Sequence, residues 1–328
     1  MYRQLNKKQW LAFTPKQMSE FVDEVLTHYR ANGFPFFPTN AEWRISELDK
    51  LKRYDFTKCI DMDSRLIKQS MHGLALCWSY HPRHYKVKCN NLRSVYELFC
   101  DDVLLKKCIE KRIKMGDNMS DNGLRKMMKI YTGTQCVSNF RPTAAAALYS
   151  VFCKKGDSVY DMSAGYGGRC LGASIAGVKY YGVDPATETH SGLVTMIRDL
   201  GLDATVLCQG SEDRSTLPDN SIDFSFTSPP YFDCEKYSDE ATQSYVKYPS
   251  KELWMNTFMR NTLIEAMRVT KVGKKIAINI QSVKSYKNIV DDLILLAKDI
   301  GLKVQPQWSL QLSRLGKGGH KTEPILIF

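Results

Sequence analysis

The sequence predicts an α/β protein in which a mostly parallel sheet follows a basic, mainly helical first part. Three observations carry this. From about residue 141, short β-rich runs alternate with helical stretches, the grammar of strand–helix–strand units. The last two β-rich runs, 304–312 and 323–328, have no helical stretch between them, so they should pair as an antiparallel hairpin. Residues 1–130 show helical apolar spacing instead, with 24 Lys+Arg against 15 Asp+Glu.

In order along the chain, residues 16–30 space Met18, Phe21, Val22, Val25 and Leu26 for one helix face. Asn32-Gly33-Phe34-Pro35-Phe36-Phe37-Pro38 follows as a rigid aromatic-proline loop. Residues 91–130 keep helical periodicity, broken near Met115-Gly116-Asp117-Asn118. Strands are expected at 158–162, 179–184, 204–209, 222–228 and 274–280, and helices at 143–154, 168–176, 190–200, 251–269 and 286–300. Gly316-Lys317-Gly318-Gly319 should join the closing hairpin. A domain boundary is placed at 137/138.

Composition narrows the class. With 328 residues, 43% hydrophobic and 25% charged, the chain reads as a globular protein of two domains. No apolar run approaches the ~18–20 residues of a membrane span, and Met1 to Lys8 lacks a signal-peptide apolar region. The ten cysteines are scattered, which points to reduced thiols in a cytoplasmic setting and away from structural zinc or any other metal. Residues 131–328 hold 22 basic and 20 acidic residues, so the +11 net charge sits mostly in the first part. That asymmetry suggests a polyanionic partner held by the first domain. Cys77 to Lys88 interleaves aromatic and basic residues and is a candidate for gripping phosphates.

The chemistry-bearing residues cluster at strand ends. Ser158-Val159-Tyr160-Asp161 runs into Met162-Ser163-Ala164-Gly165-Tyr166-Gly167-Gly168-Arg169 and then a helix. Glycines there allow a ligand close to the backbone. The turn departs from the dinucleotide fingerprint, because Cys170 stands at its last glycine position. The next strand ends in Asp184, a carboxylate placed to accept both hydroxyls of a ribose. The third ends in Gln209-Gly210-Ser211-Glu212-Asp213, polar groups able to read an adenine edge. The fourth runs into Thr227-Ser228-Pro229-Pro230-Tyr231. Two prolines cannot continue a central strand, so the chain leaves the sheet in a rigid turn. That turn offers the Ser228 hydroxyl, a free carbonyl and an aromatic ring, a set that suits a planar group carrying an NH2. The aromatic, charged stretch from Phe232 to Tyr248 is expected to cover it as a lid.

Taken together, residues 138–328 resemble the class I S-adenosylmethionine-dependent methyltransferases, and among them the DNA amino-methyltransferases. The resemblance implies a Rossmann-like seven-stranded methyltransferase sheet, mostly parallel with one antiparallel strand. It implies S-adenosyl-L-methionine as cofactor, bound by Asp161, Ser163, Ala164, Gly165, Gly167, Gly168, Asp184, Ser211, Glu212 and Asp213. Asn139-Phe140-Arg141-Pro142-Thr143 resembles the family motif that closes over the cofactor carboxylate, which adds Arg141, Pro142 and Thr143. Ser228, Pro229, Pro230 and Tyr231 match the catalytic [DNS]-P-P-[YFW] motif. They imply methyl transfer to the exocyclic amine of a base flipped out of DNA, cytosine N4 ahead of adenine N6, with an RNA base amine as the alternative. No Pro-Cys dipeptide occurs, which counts against ring-carbon methylation. No large segment separates the glycine turn from the tetrapeptide, so residues 1–137 are left as the place for DNA binding and target recognition. Oligomeric state is not legible.

Overall fold

The computed structural model describes residues 7–116, 118–312 and 320–328. Its contacts divide the chain into two compact units, residues 1–37 with 82–137 and residues 38–81 with 138–328. One boundary between the units falls at 137/138, and residues 38–81 group with the second unit rather than the first. The charge asymmetry survives this redivision. The first unit holds 17 basic and 9 acidic residues, the second 29 and 26.

The first unit is helical, as expected. Its longest helix, Pro15–Asn32, starts at Thr14, which accepts from the Gln17 N–H in a capping box, with Pro15 in the first turn. The expected break near 115–118 separates helices Asp102–Lys114 and Asp121–Lys129. Phe21, Val25, Leu105, Ile109, Leu124 and Met128 meet in the core. The aromatic-proline loop is pinned by the buried Arg125, which donates to the Pro35 carbonyl at 2.7 Å and lies over the Phe37 ring.

The second unit is built on strands β1 (Ile60–Asp61), β2 (Leu66–Ile67), β3 (Ser158–Asp161), β4 (Lys179–Val183), β5 (Ala204–Leu207), β6 (Ile222–Thr227), β7 (Thr270–Asn279), β8 (Gln305–Gln311) and β9 (Thr322–Ile327). They form one sheet in the order β1-β2-β8-β9-β7-β6-β3-β4-β5. The five strands β3 to β7 pair parallel. β9 is antiparallel to both neighbours, as the closing hairpin predicts. The glycines expected to join that hairpin, Gly316 to Gly319, lie outside the described residues. Among the described residues the sheet has nine strands rather than seven. Leu66 and Ile67 pair with Ser309 and Leu310 and cover the edge of β8. Two-residue strands are too short to show any periodicity, so nothing in the sequence announced them.

Helices cover both faces. On one, Ala144, Leu148, Leu171 and Leu193 pack against Val159, Phe224 and Phe226. On the other, Trp254, Phe258, Leu263 and Leu293 pack against Tyr160, Ile222 and Ile278. Every residue of β6 is buried, as a central strand between two helical layers requires. The expected helix 251–269 is interrupted by a π-helical stretch, Trp254–Met259. The chain runs outward from β3 through β4 to β5 and then returns to the other side of β3 as β6. The strand order therefore reverses between β3 and β6, and open α/β sheets hold ligands in the crevice at such a reversal, beyond the strand carboxyl ends.

Candidate active site

The glycine turn opens at the carboxyl end of β3 and is organised around Asp161. This carboxylate is fully buried. Its Oδ1 accepts from the Ser163 N–H at 3.1 Å and from Thr227 Oγ1 at 2.9 Å. Its Oδ2 accepts from Arg169 Nε at 2.7 Å and from the Tyr180 hydroxyl at 2.6 Å. Four donors, one of them the buried Arg169 guanidinium, satisfy it, so Asp161 shapes the turn and uses both oxygens within the protein. Arg169 also donates to the Ser163 carbonyl. The sequence reading passed over Arg169, although it directly follows the last glycine of the turn.

Three glycines have separate reasons to be glycine. Gly165 has φ +55°, and a Cβ there would meet only the Ser163 carbonyl, at 3.7 Å; the space above it is open. Gly167 has φ +78°, and its Cβ would fall 2.4 Å from the Met196 side chain. At Gly168 a Cβ would fall 1.8 Å from the Phe140 carbonyl oxygen. Residues 139–140 therefore cross directly over the turn, and Asn139 Nδ2 donates to the Tyr166 carbonyl there. Arg141 precedes helix Pro142–Phe152, with Pro142 in its first turn. Burial lowers the pKa of Arg141 from its ordinary value. Thr143 is buried with its hydroxyl accepting from the Ser70 N–H at 3.0 Å, so its side chain braces residue 70.

Asp184 closes the other wall. Its Oδ2 accepts from the Gly165 N–H at 2.9 Å and its Oδ1 from the Ala186 N–H at 3.0 Å. Burial pushes its carboxyl up to about 6, against the pull of those two backbone donors. Hydrogen bonds from Ser163 to Asp161 and from Gly165 to Asp184 thus hold the turn from its two sides. Ser211 is buried and bonded to Thr262. Glu212 is held by Lys247 at 2.7 Å and by the Tyr248 hydroxyl. Asp213 is exposed.

The Thr227–Asp161 bond joins the glycine turn to the start of the tetrapeptide across the reversal. Ser228 Oγ lies 3.4 Å from the Tyr231 hydroxyl. After Pro229, Pro230 and Tyr231 the chain takes a left-handed step at Phe232, φ +59°, which is costly for a non-glycine residue. The step turns the Phe232 ring into the core beside Trp254 and Tyr286. The following segment crosses the loops after β4 and β5. Glu240 accepts from Thr187, Thr242 donates to the Pro185 carbonyl, and Lys247 pairs with Glu212. The expected lid is thus a pinned cover.

Two carboxyls that the sequence reading did not single out stand beside the tetrapeptide. Glu323, on β9, is half-buried, and burial and the neighbouring Glu235 raise its pKa against the opposing pull of Asn279 and Tyr231; the Tyr231 hydroxyl itself donates toward the Asn279 carbonyl at 3.5 Å, and Asn279 Nδ2 donates to the Pro324 carbonyl. Glu235 accepts from the Ser138 N–H at 3.3 Å and from the Tyr237 hydroxyl, and burial raises its pKa too. Their only sequence signal is an acidic residue beside an aromatic or apolar one, which is common everywhere. The candidate phosphate-gripping run divides into buried rings and exposed basic residues. Trp78, Tyr80, His81, His84 and Tyr85 are buried, and of its basic residues Arg83, Lys86 and Lys88 face solvent. Among the described residues no helix is long and apolar enough to cross a membrane, and no His/Cys/Asp/Glu cluster could hold a metal ion.

No family model and no curated protein matches this chain. Solved structures do resemble it. One is a SAM-dependent methyltransferase from Aquifex aeolicus, 19% identical with a TM-score of 0.36, covering 58% of this chain and 99% of that one. Another is a candidate RNA methyltransferase from Pyrococcus horikoshii, 14% identical with a TM-score of 0.39, covering 57% and 82%. A third is a TehB-like SAM-dependent methyltransferase from Corynebacterium glutamicum, 13% identical with a TM-score of 0.40, covering 58% and 88%. Likeness at this level leaves the activity to be argued from the site itself.

Proposed function

We propose that this chain is an S-adenosylmethionine-dependent methyltransferase acting on the exocyclic amine of a nucleic-acid base, DNA before RNA and cytosine N4 before adenine N6. The observation that carries the reading is the placement of Ser228-Pro229-Pro230-Tyr231 at the end of β6, bonded through Thr227 to the glycine turn of β3. A nucleophile pocket and a cofactor cradle then share one crevice.

The residues present fit the cofactor. The open space over Gly165, the backbone passing close over Gly168 and a buried carboxylate at Asp184 form a cradle for a nucleoside with an amino-acid tail. Asp184 would hold the ribose, and Arg141 with the first turn of helix Pro142–Phe152 would hold the carboxylate. When bound, S-adenosylmethionine supplies an electrophilic methyl group on a sulfonium. The protein's part is to capture and aim the amine. An exocyclic amine is a weak nucleophile because its lone pair is delocalised into the ring. Ser228 Oγ and the Pro229 carbonyl would accept its hydrogens, favour the pyramidal form and fix its direction. Tyr231 would stack on the base, a contact worth ~1–3 kcal/mol, and the base must leave a duplex to reach it. The basic first unit is the part suited to hold the polymer.

The test is transfer of a labelled methyl group to DNA and to RNA, followed by nucleoside digestion and mass spectrometry. The methyl group is expected on an exocyclic nitrogen of DNA cytosine. Ser228→Ala should lower kcat far more than it changes cofactor affinity. A 5-methylcytosine product, or label on protein, would overturn the reading.

A further inference from the structure

A duplex carries one negative charge for about every 1.7 Å of its axis, and a protein holds it best where cations stand in a row with no carboxylate to neutralise them. We propose that Lys107, Lys111 and Lys114, on helix Asp102–Lys114 of the first unit, form such a row and lie against the phosphate backbone of duplex DNA. The inference rests on the nucleic-acid reading above and narrows it from a whole unit to three side chains.

The row follows from the way this helix is buried. Leu105, Cys108, Ile109 and Ile113 face the core, so residues 103, 107, 111 and 114 fall on the opposite side. Val103, Lys107, Lys111 and Lys114 are all exposed. The helix is held at both ends. Asp101 caps it by accepting from the Leu104 N–H at 2.9 Å. Arg112 donates from Nε and Nη2 to the Asn118 carbonyl, across the break that follows the helix. At Gly123, in the first turn of helix Asp121–Lys129, a Cβ would lie 2.9 Å from Arg112 Nε, so glycine leaves room for that brace.

Pairing sets the row apart. Elsewhere on the unit Lys16 pairs with Glu20, Arg30 with Asp102 and Lys88 with Glu97. Lys106, beside the row, pairs with Asp23 at 2.6 Å, and Glu110, four residues on, stands on that same flank. Among the described residues Lys107, Lys111 and Lys114 have no carboxylate partner. Lys111 lies over the half-buried Tyr131 ring, 5.4 Å from its centroid, which leaves its charge intact. At about 1.5 Å of rise per residue the row is about 10 Å long. That length matches roughly three phosphates of one strand, at about 3.4 Å each along the duplex. No aromatic side chain belongs to the row, so it offers no platform for stacking unpaired bases, and a duplex is the better fit.

The test combines Lys107→Gln, Lys111→Gln and Lys114→Gln in the full chain. Glutamine keeps the helix, because its helix propensity is close to that of lysine. Fluorescence anisotropy with a labelled DNA duplex should show affinity lower by ~10-fold or more at about 100 mM salt, alike for unrelated sequences. The slope of log K against log salt should shrink by roughly 2.7, or ~0.9 for each phosphate contact. Each single replacement should remove about a third of that change, so the row is tested even where the triple variant is less stable. Lys106→Gln, one residue off the row, should leave the slope near wild type. So should a charge-matched control, Lys154→Gln with Lys155→Gln and Lys179→Gln, at exposed positions of the second unit. Row variants that bind and respond to salt like the charge-matched control overturn the proposal and leave the functional reading standing. Row-dependent binding that is tighter for single strands or for RNA overturns the assignment to duplex DNA. A wild-type protein that binds no nucleic acid overturns the row and the functional reading together.

Discussion

Asp184→Asn separates a ligand-binding acid from a structural one. Two effects on stability oppose each other. In the native protein the carboxyl stands at about 6 because of burial. Relative to a carboxylate in water, that elevation corresponds to a cost of ~3 kcal/mol for holding the charge at neutral pH. Asparagine removes that cost. It also keeps one oxygen where the carboxylate used two, so either the Gly165 or the Ala186 N–H loses its partner, at ~1–3 kcal/mol. The two terms nearly cancel, and the melting temperature near pH 7 should move little. Cofactor affinity should not be spared, since hydroxyl donors to a charged acceptor are worth ~1.5–3 kcal/mol. Affinity for S-adenosylhomocysteine should then fall roughly tenfold to a hundredfold. The pH dependence has a definite sign. The folded carboxyl binds its proton more tightly than the unfolded one, so its contribution favours the fold at low pH and is lost as pH rises through about 6. Bound hydroxyls favour the ionised form, so cofactor should bind more tightly as pH rises through the same window, with proton release. Calorimetry in buffers of different ionisation enthalpy measures both. An Asp184→Asn protein that melts as wild type and binds as wild type would place the ribose elsewhere. One that loses affinity only in proportion to its stability would make Asp184 a pin for the turn.

Gly168→Ala should destabilise the second unit by ~2 kcal/mol or more, because its Cβ would lie 1.8 Å from the Phe140 carbonyl and backbone must move; chemical denaturation checks this. Arg169→Met should cost ~3–5 kcal/mol by stranding the buried Asp161 carboxylate, read as a fall in the urea midpoint. Binding of the intact protein to DNA should weaken steeply, by at least ~10-fold between about 50 and about 200 mM salt, and a flat response in fluorescence anisotropy would remove the first unit from polymer binding.

What the sequence revealed follows from what leaves a local trace. The strands β3 to β7 are apolar runs bounded by turn residues, and each was recovered to within a few residues. The glycine turn and the tetrapeptide announce themselves because glycine and proline restrict the backbone whatever surrounds them. The pairing of Leu66 with Ser309 leaves no such trace, and neither does the hydrogen bond from Thr227 to Asp161, which joins residues 66 positions apart. Trp78, Tyr80 and Tyr85 show the other limit of a local reading: aromatic residues beside basic ones read as one surface, but their rings are apolar enough to be drawn inside, leaving the charges outside. Asp161 and Thr143 were recognised as important from their positions, while their partners, Arg169 and Ser70, show that each works by bracing the backbone.

The route of the chain through the second unit sets what can be cut away. A truncation at residue 130 would discard Leu66 and Ile67 from the sheet and the helix Leu74–Tyr80 from the core, so an insoluble fragment would say nothing about DNA. His81 and Asn139 bracket an internal insertion, and both touch Tyr166: the His81 ring lies 5.4 Å from its ring, and Asn139 bonds its carbonyl. The two ends are neighbours on one residue. Residues 82–137 can therefore be excised and the gap rejoined by a short glycine-rich linker, with residues 1–37 removed as well. If the proposed function holds, the shortened chain should still bind cofactor and would serve as a graftable cassette, open to a chosen nucleic-acid-binding insert at the same seam.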